Sequence, residues 1–165
     1  MGCDAGGPVE FFLPEKADAN FGVHWRYDNG TEVTHLDGNG VTFYGDQGKL
    51  YVNRGKFQLW LGDKLKAETM DSYAGLLKEL LPENAVRLYR SNDQISDWLK
   101  CMQTRKPPVC DVEIGQRSAT ICNLVNQVYF NRKGCKWNPQ TEKFLDGTGA
   151  ASWLTREYRA PWKLA

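Results

Sequence analysis

A chain of 165 residues, 41% of them hydrophobic and 25% charged, carries enough apolar material to bury a core of its own, which excludes disorder as its main state and makes covalent staples unnecessary. Its 21 Lys and Arg are balanced by 20 Asp and Glu, so no broad field draws it to a nucleic-acid backbone or an anionic membrane surface. No apolar run approaches the ~18 residues of a membrane span. The opening residues lack the basic and apolar regions of a secretory signal, and a cytoplasmic setting is the expectation.

Residues 1–8 read as a linker, and the first third beyond them as a β-meander. A short apolar run at 9–13 lies between Pro8 and Pro14. Residues 22–27 alternate, with Val23, Trp25 and Tyr27 on one face and His24 and Arg26 on the other. Asn29-Gly30 then predicts a tight hairpin of type I′, which needs positive φ at both central residues. Further strands are expected at 31–36, 41–44, 49–53 and 56–61, separated by Gly-containing turns. One face of the resulting sheet would carry Val23, Trp25, Val41, Phe43, Leu50, Val52, Phe57 and Leu59. The other would carry Tyr44, Tyr51 and Trp60 among Thr, Gln and Asn. That contrast suggests a core side and a docking side.

The remainder reads as helical. Asp71-Ser72 is the expected cap of a helix running to Leu81, with a stripe of Leu76, Leu77, Leu80 and Leu81. Residues 86–89 read as a strand. Ser91 or Asn92 then caps a helix whose Ile95, Trp98, Leu99 and Met102 recur at i, i+3, i+4 and i+7, stopped by Pro107-Pro108. Asp111 caps a long helix lined by Ile114, Ser118, Ile121, Val125 and Val128, and Gly134 is the expected left-handed residue at its end. The tail, 146–165, carries Trp153, Leu154, Tyr158 and Trp162. So much aromatic area is expected to pack across the domain. Strands followed by helices make the chain α+β, a single domain over 1–165.

Little in these residues carries chemistry. No glycine-rich phosphate cradle opens a helix, and no nucleophile elbow is present. Five cysteines, Cys3, Cys101, Cys110, Cys122 and Cys135, include no Cys-x-x-Cys pair, against both a disulfide framework and a zinc site. Cys101 and Cys122 sit on helical stripes and read as small core residues. His24 and His35 could be neighbours on one strand face, where a metal would need a third ligand, Glu32 or Asp37 being nearest in sequence; two solvated strand histidines are the expectation, and no metal is expected. Glu113 with Asp111 offers either a carboxylate pair or simple capping, and Arg117 either an anion site or an i,i+4 partner for Glu113. Glu113 and Arg117 are the candidates for lining a substrate cleft. Tyr44, Tyr51 and Trp60 are the candidates for an oligomer face, or for stacking on sugar rings.

Several segments in order carry a resemblance: Gly48-Lys-Leu-Tyr-Val-Asn-Arg-Gly-Lys-Phe57, Leu81-Pro-Glu-Asn-Ala-Val-Arg-Leu-Tyr89, Ser91-Asn-Asp93, Trp98-Leu-Lys-Cys101, Asp111-Val-Glu-Ile-Gly-Gln-Arg-Ser-Ala-Thr120, Lys136-Trp-Asn-Pro139 and Arg159-Ala-Pro-Trp-Lys-Leu164. Together they resemble the C-terminal domain of the Gfo/Idh/MocA oxidoreductases, the glucose–fructose oxidoreductase and inositol dehydrogenase family, and most closely its bacterial, planctomycete-like subgroup. The resemblance implies an open-faced, mostly antiparallel sheet with helices on one face and subunit pairing through the other. It also implies a separate Rossmann domain binding NAD(P), and oxidation of a sugar or cyclitol. The family's Glu-Lys-Pro and Asp-x-x-x-His motifs have no counterpart here. Glu15-Lys16 is followed by Ala17, and the subgroup's frequent His residues are replaced by Gln116 and Asn123. The chain is therefore expected to hold no cofactor and no catalytic residue, to start after the Rossmann domain, and to be inactive alone.

Overall fold

A computed structural model describes residues 6–16 and 18–163, without the side chains of Met70, Leu77, Lys78 and Glu79. Residues 1–5 of the expected linker, Cys3 among them, lie outside the described residues, and Pro8 already opens the first strand. In chain order the elements are β1 (Pro8–Phe12), β2 (His24–Tyr27), β3 (Glu32–Thr34), β4 (Val41–Gly45), β5 (Gly48–Asn53), β6 (Lys56–Leu61), β7 (Lys64–Ala67), α1 (Met70–Leu80), α2 (Gln94–Thr104), α3 (Val112–Asn131), β8 (Cys135–Asn138) and β9 (Lys143–Leu145), followed by a 3-10 turn at Ala151–Trp153. The α+β class holds. The expected single meander does not: the strands divide into a five-stranded sheet, β3-β2-β1-β8-β9, and a four-stranded sheet, β4-β5-β6-β7. They fall in two compact units, residues 6–36 with 91–163 and residues 37–90. Val23 and Trp25 thus belong to a different sheet from Val41, Phe43 and Phe57. The break follows β3, where His35 N–H donates to Val23 O and Gly22 N–H to His35 O, so residue 35 still pairs with the first sheet.

The first unit is built around α3. Phe11 from β1, Val23 just before β2, Leu124, Val125 and Val128 from the helix, and Cys135 and Trp137 from β8 form its buried core. Ile121, Leu124, Val125 and Val128 recur at helical spacing and explain why α3 lies against β1. Ser118, expected on that stripe, is exposed, and so is Cys122, expected in the core; both lie off the buried stripe. The left-handed residue that ends α3 is Arg132, at φ 53°, not Gly134. Glycine at 134 answers another need: a Cβ there would stand 2.6 Å from the Phe11 carbonyl oxygen. The β2–β3 turn also differs from a type I′ turn. Gly30 N–H donates to Tyr27 O and only Gly30 of the pair has positive φ, at 82°, which describes a three-residue loop closed by a left-handed glycine.

In α2 the cap is Asp93, one residue beyond the expected positions; its carboxylate accepts from Ile95 and Ser96 N–H. The apolar stripe of Ile95, Trp98, Leu99 and Met102 is exposed, whereas Asp97 and Cys101 are buried. The Asp97 carboxylate accepts Val109 N–H at 3.0 Å and the Cys101 thiol donates to Pro107 O. Polar links to the following loop, rather than the apolar stripe, decide which face is covered. The tail packs only at its start. Trp153 meets Phe144 edge-on at 5.5 Å, while Leu154, Tyr158 and Trp162 are exposed.

The second unit is a meander joined by two-residue loops at 46–47, 54–55 and 62–63. β7 was not apparent from the sequence; its pairing to β6 contains an irregularity between Leu59 and Trp60. α1 covers one side of β6 and β7, with Tyr73 on Phe57 at 4.3 Å between ring centroids. Its cap is Thr69, which exchanges hydrogen bonds with Ser72. Residues 86–89 form no strand: Val86, Leu88 and Tyr89 are exposed coil.

Candidate functional site

Within the first unit, α3 forms walls of two concavities. The first, a narrow crevice with room for only about 10 Å³, lies against its N-terminal half and is lined by Gln116, Arg117, Thr120 and Ile121 of the helix, by Trp137 and Pro139, and by Glu142. Asp111 starts the helix, its carboxylate accepting Ile114 N–H at 3.0 Å, which settles Asp111 as a cap. Arg117 Nη2 donates to Glu113 Oε2 at 2.8 Å, the i,i+4 pair that the spacing offered. Arg117 is thus in the cleft wall; Glu113 reaches it only through Arg117, and its own side chain is largely exposed.

Glu142 is the residue that sequence reasoning missed. The Gln116 amide donates to its carboxylate at 2.5 Å and to Thr120 Oγ1 at 3.0 Å. The hairpin between β8 and β9 sets its position: Asn138 Oδ1 accepts from the N–H groups of Gln140 and Thr141, and Glu142 turns through φ 53°. Left-handed backbone costs a non-glycine residue about 1–2 kcal/mol. Asn138-Pro139 favours a turn here, but no periodicity ties a residue in a turn to one on a helix 26 positions earlier.

The second concavity is a groove of about 570 Å³ along the C-terminal half of α3. Asn123, Asn126, Gln127 and Phe130 line one side, and Ser152, Trp153, Thr155 and Arg156 the other, with Thr120, Leu124 and Trp137 shared with the cleft. Its aromatic and carboxamide walls were also not singled out from sequence, apart from the departure at Asn123.

The other candidates take different places. In the second unit, Tyr44, Tyr51 and Trp60 do share one face, with Thr42, Lys49 and Gln58, around a shallow depression of about 260 Å³. They stand in two cross-strand rows, Tyr44–Lys49–Trp60 and Thr42–Tyr51–Gln58, and the Lys49 ammonium lies 4.6 Å from the Trp60 ring centre. His24 stacks on Phe12, whereas His35 Nδ1 stands 2.8 Å from the Tyr129 hydroxyl, so the two imidazoles serve separate contacts. Among the described residues no three His, Cys, Asp or Glu side chains gather as a metal site, and no helix is long and apolar enough to cross a membrane. Burial raises the Cys135 thiol to about 11, which leaves it protonated and unreactive at neutral pH.

The family model described as the oxidoreductase family, C-terminal alpha/beta domain, matches residues 15–164. The chain belongs to the Gfo/Idh/MocA oxidoreductase family. No curated protein and no solved structure matches it. The family's hydride chemistry implies a nicotinamide nucleotide. Both of its sheets are antiparallel throughout. Its positive-φ glycines, such as Gly30, Gly55 and Gly147, stand in turns rather than at the start of a helix. α3 begins with two carboxylates, Asp111 and Glu113, which would repel a pyrophosphate. The described residues do not fit a dinucleotide.

Proposed function

We propose that this domain is the substrate-facing and subunit-pairing part of an NAD(P)-dependent sugar or cyclitol oxidoreductase of the bacterial, planctomycete-like subgroup. A Rossmann domain completes it, holding the nucleotide and supplying the general acid and base. α3 with the β8–β9 hairpin is the wall that orients the substrate. The observation that carries this reading is the cleft, where an amide, a carboxylate, a hydroxyl and a guanidinium surround a buried indole. At the mouth of the crevice such a set can hydrogen-bond and orient the hydroxyls of a ring. The uncovered face of the β4–β7 sheet, with Tyr44, Tyr51 and Trp60, is the pairing surface of a homo-oligomer.

Purified chain incubated with NAD or NADP and a panel of sugars and cyclitols should give no turnover. Heteronuclear titration with the same panel should move signals of α3 and the Trp137 indole N–H. Nucleotide-dependent turnover by the chain alone, or a panel that moves nothing on α3, would remove this reading. Light scattering should report an oligomer that Trp60→Arg dissociates. A second reading, a stand-alone carbohydrate-binding platform, rests on Tyr44, which is 81% exposed. It requires sugars to shift Trp60 and not Trp137.

A further inference from the structure

We propose that the groove on the C-terminal half of α3 is a second sugar subsite, so that the ligand of this domain is a glycoside or oligosaccharide rather than a free monosaccharide. The inference rests on the reading of α3 as a substrate wall and extends it. The cleft and the groove share Thr120, Leu124 and Trp137, so a ligand lying along the helix passes from one to the other over a common floor. The groove itself, at about 570 Å³, falls within the size of ligand pockets, about 300–1,000 Å³, which is room for more than one ring.

The chemistry of the two concavities differs in a way that favours a neutral, polyhydroxylated occupant of the groove. In the cleft the polar side chains bind one another: Gln116 to Glu142 and Thr120, Arg117 to Glu113. In the groove, the side-chain carboxamides of Asn123 and Asn126 make no hydrogen bond among the described residues, and the Gln127 carboxamide oxygen accepts from the Asn131 side chain. Each carboxamide both donates and accepts, as does a hydroxyl, and so can meet a diol in either sense. Among the described residues no carboxylate lines the groove, and Arg156 is its only charged side chain. Apolar surface stands beside these amides. Phe130 is 81% exposed, and Trp153 is fixed by its edge-on contact with Phe144. Rings held in this way can cover the C–H face of a pyranose while the amides bind its hydroxyls.

The test is heteronuclear titration of the chain with glucose and with two disaccharides, maltose and cellobiose, following Trp137 and Trp153 indole signals. At least one disaccharide should bind about tenfold more tightly than glucose, the gain of one or two added hydrogen bonds. Asn126→Ala, at an exposed position, should abolish that gain and leave glucose unaffected. Equal affinities, or a disaccharide preference that survives both Asn126→Ala and Asn123→Ala, overturns the subsite while leaving the cleft reading intact. Displacement of the groove signals by an extended Gly-Ser-Asn peptide but by no sugar assigns the groove to a polypeptide and also overturns it. No sugar response anywhere on α3 sinks the cleft reading and this inference together.

Discussion

Both units of this molecule pair antiparallel strands and set a helix on them, yet they bury very different amounts of side chain. In the first unit α3 lies against the sheet and seven residues close over one another, with Phe11 only 1% exposed. In the second unit the ladders are at least as regular, with five consecutive paired positions between β4 and β5 and six between β5 and β6. Among its described side chains, however, only Phe57 and Ala67 are buried, and all five residues of β4 are exposed. Backbone pairing and side-chain burial are therefore separate achievements. Hydrogen bonds fix the register of the second sheet, but exchanging water for peptide partners yields little net stability. Apolar burial, which drives folding, is concentrated in the first unit.

Truncating one ring in each unit should break this comparison most sharply. Phe11→Ala empties a fully buried position and should cost about 3–5 kcal/mol, read as a lower denaturant midpoint at constant slope. Phe57→Ala, at 6% exposure and with Tyr73 as its ring partner, should cost nearer about 3 kcal/mol. Its effect should appear in amide exchange of β4–β7 and not of β1 or β8. A larger loss from Phe57 than from Phe11 would reverse the order of the two cores.

The same division explains what was legible in the sequence. Turn chemistry and period-2 alternation disclosed six of the nine strands, and the Asp111 cap with the apolar spacing disclosed α3, because these signals are local. The family was legible because several segments match in order. That 22–36 and 41–61 belong to different sheets was not legible, since alternation says which face a residue takes and never which neighbour a strand chooses. The stripe Ile95, Trp98, Leu99 and Met102 misdirected for a related reason. Periodicity reports an apolar face, while the buried face of α2 is fixed by the Asp97 carboxylate on Val109 N–H. Glu142 and the Asn123–Asn126 wall depend on long-range approach, which single-residue patterns do not encode. The Arg117–Glu113 ion pair was legible because its two members are one helical turn apart.

Alkaline titration should sharpen the comparison next. Cys135 is buried, and its folded pKa of about 11 lies above the ordinary thiol value of 9.0. The folded state therefore holds the proton more tightly between those values. The contribution is complete below pH 9 and is lost as pH rises toward 11, by about 2–3 kcal/mol for two units. Equilibrium unfolding at a series of pH values should show that fall, and Cys135→Ala should flatten it. Under native conditions an aqueous thiol reagent should label the exposed Cys110 and Cys122 long before Cys135. Rapid labelling of Cys135 would mean that the first core opens as readily as the second sheet.

A smaller loss is expected from Tyr129→Phe. The Tyr129 hydroxyl accepts the N–H of Val23 at 3.0 Å, and Val23 is fully buried. Phenylalanine keeps the ring and removes the acceptor, leaving a buried backbone donor unpaired at about 1–3 kcal/mol. Exchange of the Val23 amide should accelerate while the β5 and β6 amides stay unchanged.

The smallest effect belongs at the edge of the first unit, on the cap of α2. The Ser96 hydroxyl, and then the Ile95 and Ser96 N–H groups, hold the Asp93 carboxyl below its ordinary 3.8. Its folded pKa is depressed, so the stabilisation is present above pH 3.8 and is lost as pH falls through the folded value. The group is fully solvated, and the change should be confined to the first turn of α2. Asp93→Ala should speed exchange at the amides of Ile95 and Ser96 at neutral pH, and the same amides of the unsubstituted chain should loosen on acidification. If Asp93→Ala instead loosened α3 or β8, the apolar core would be leaning on a surface cap, and the contrast between a unit held by burial and a unit held by its ladder would fail.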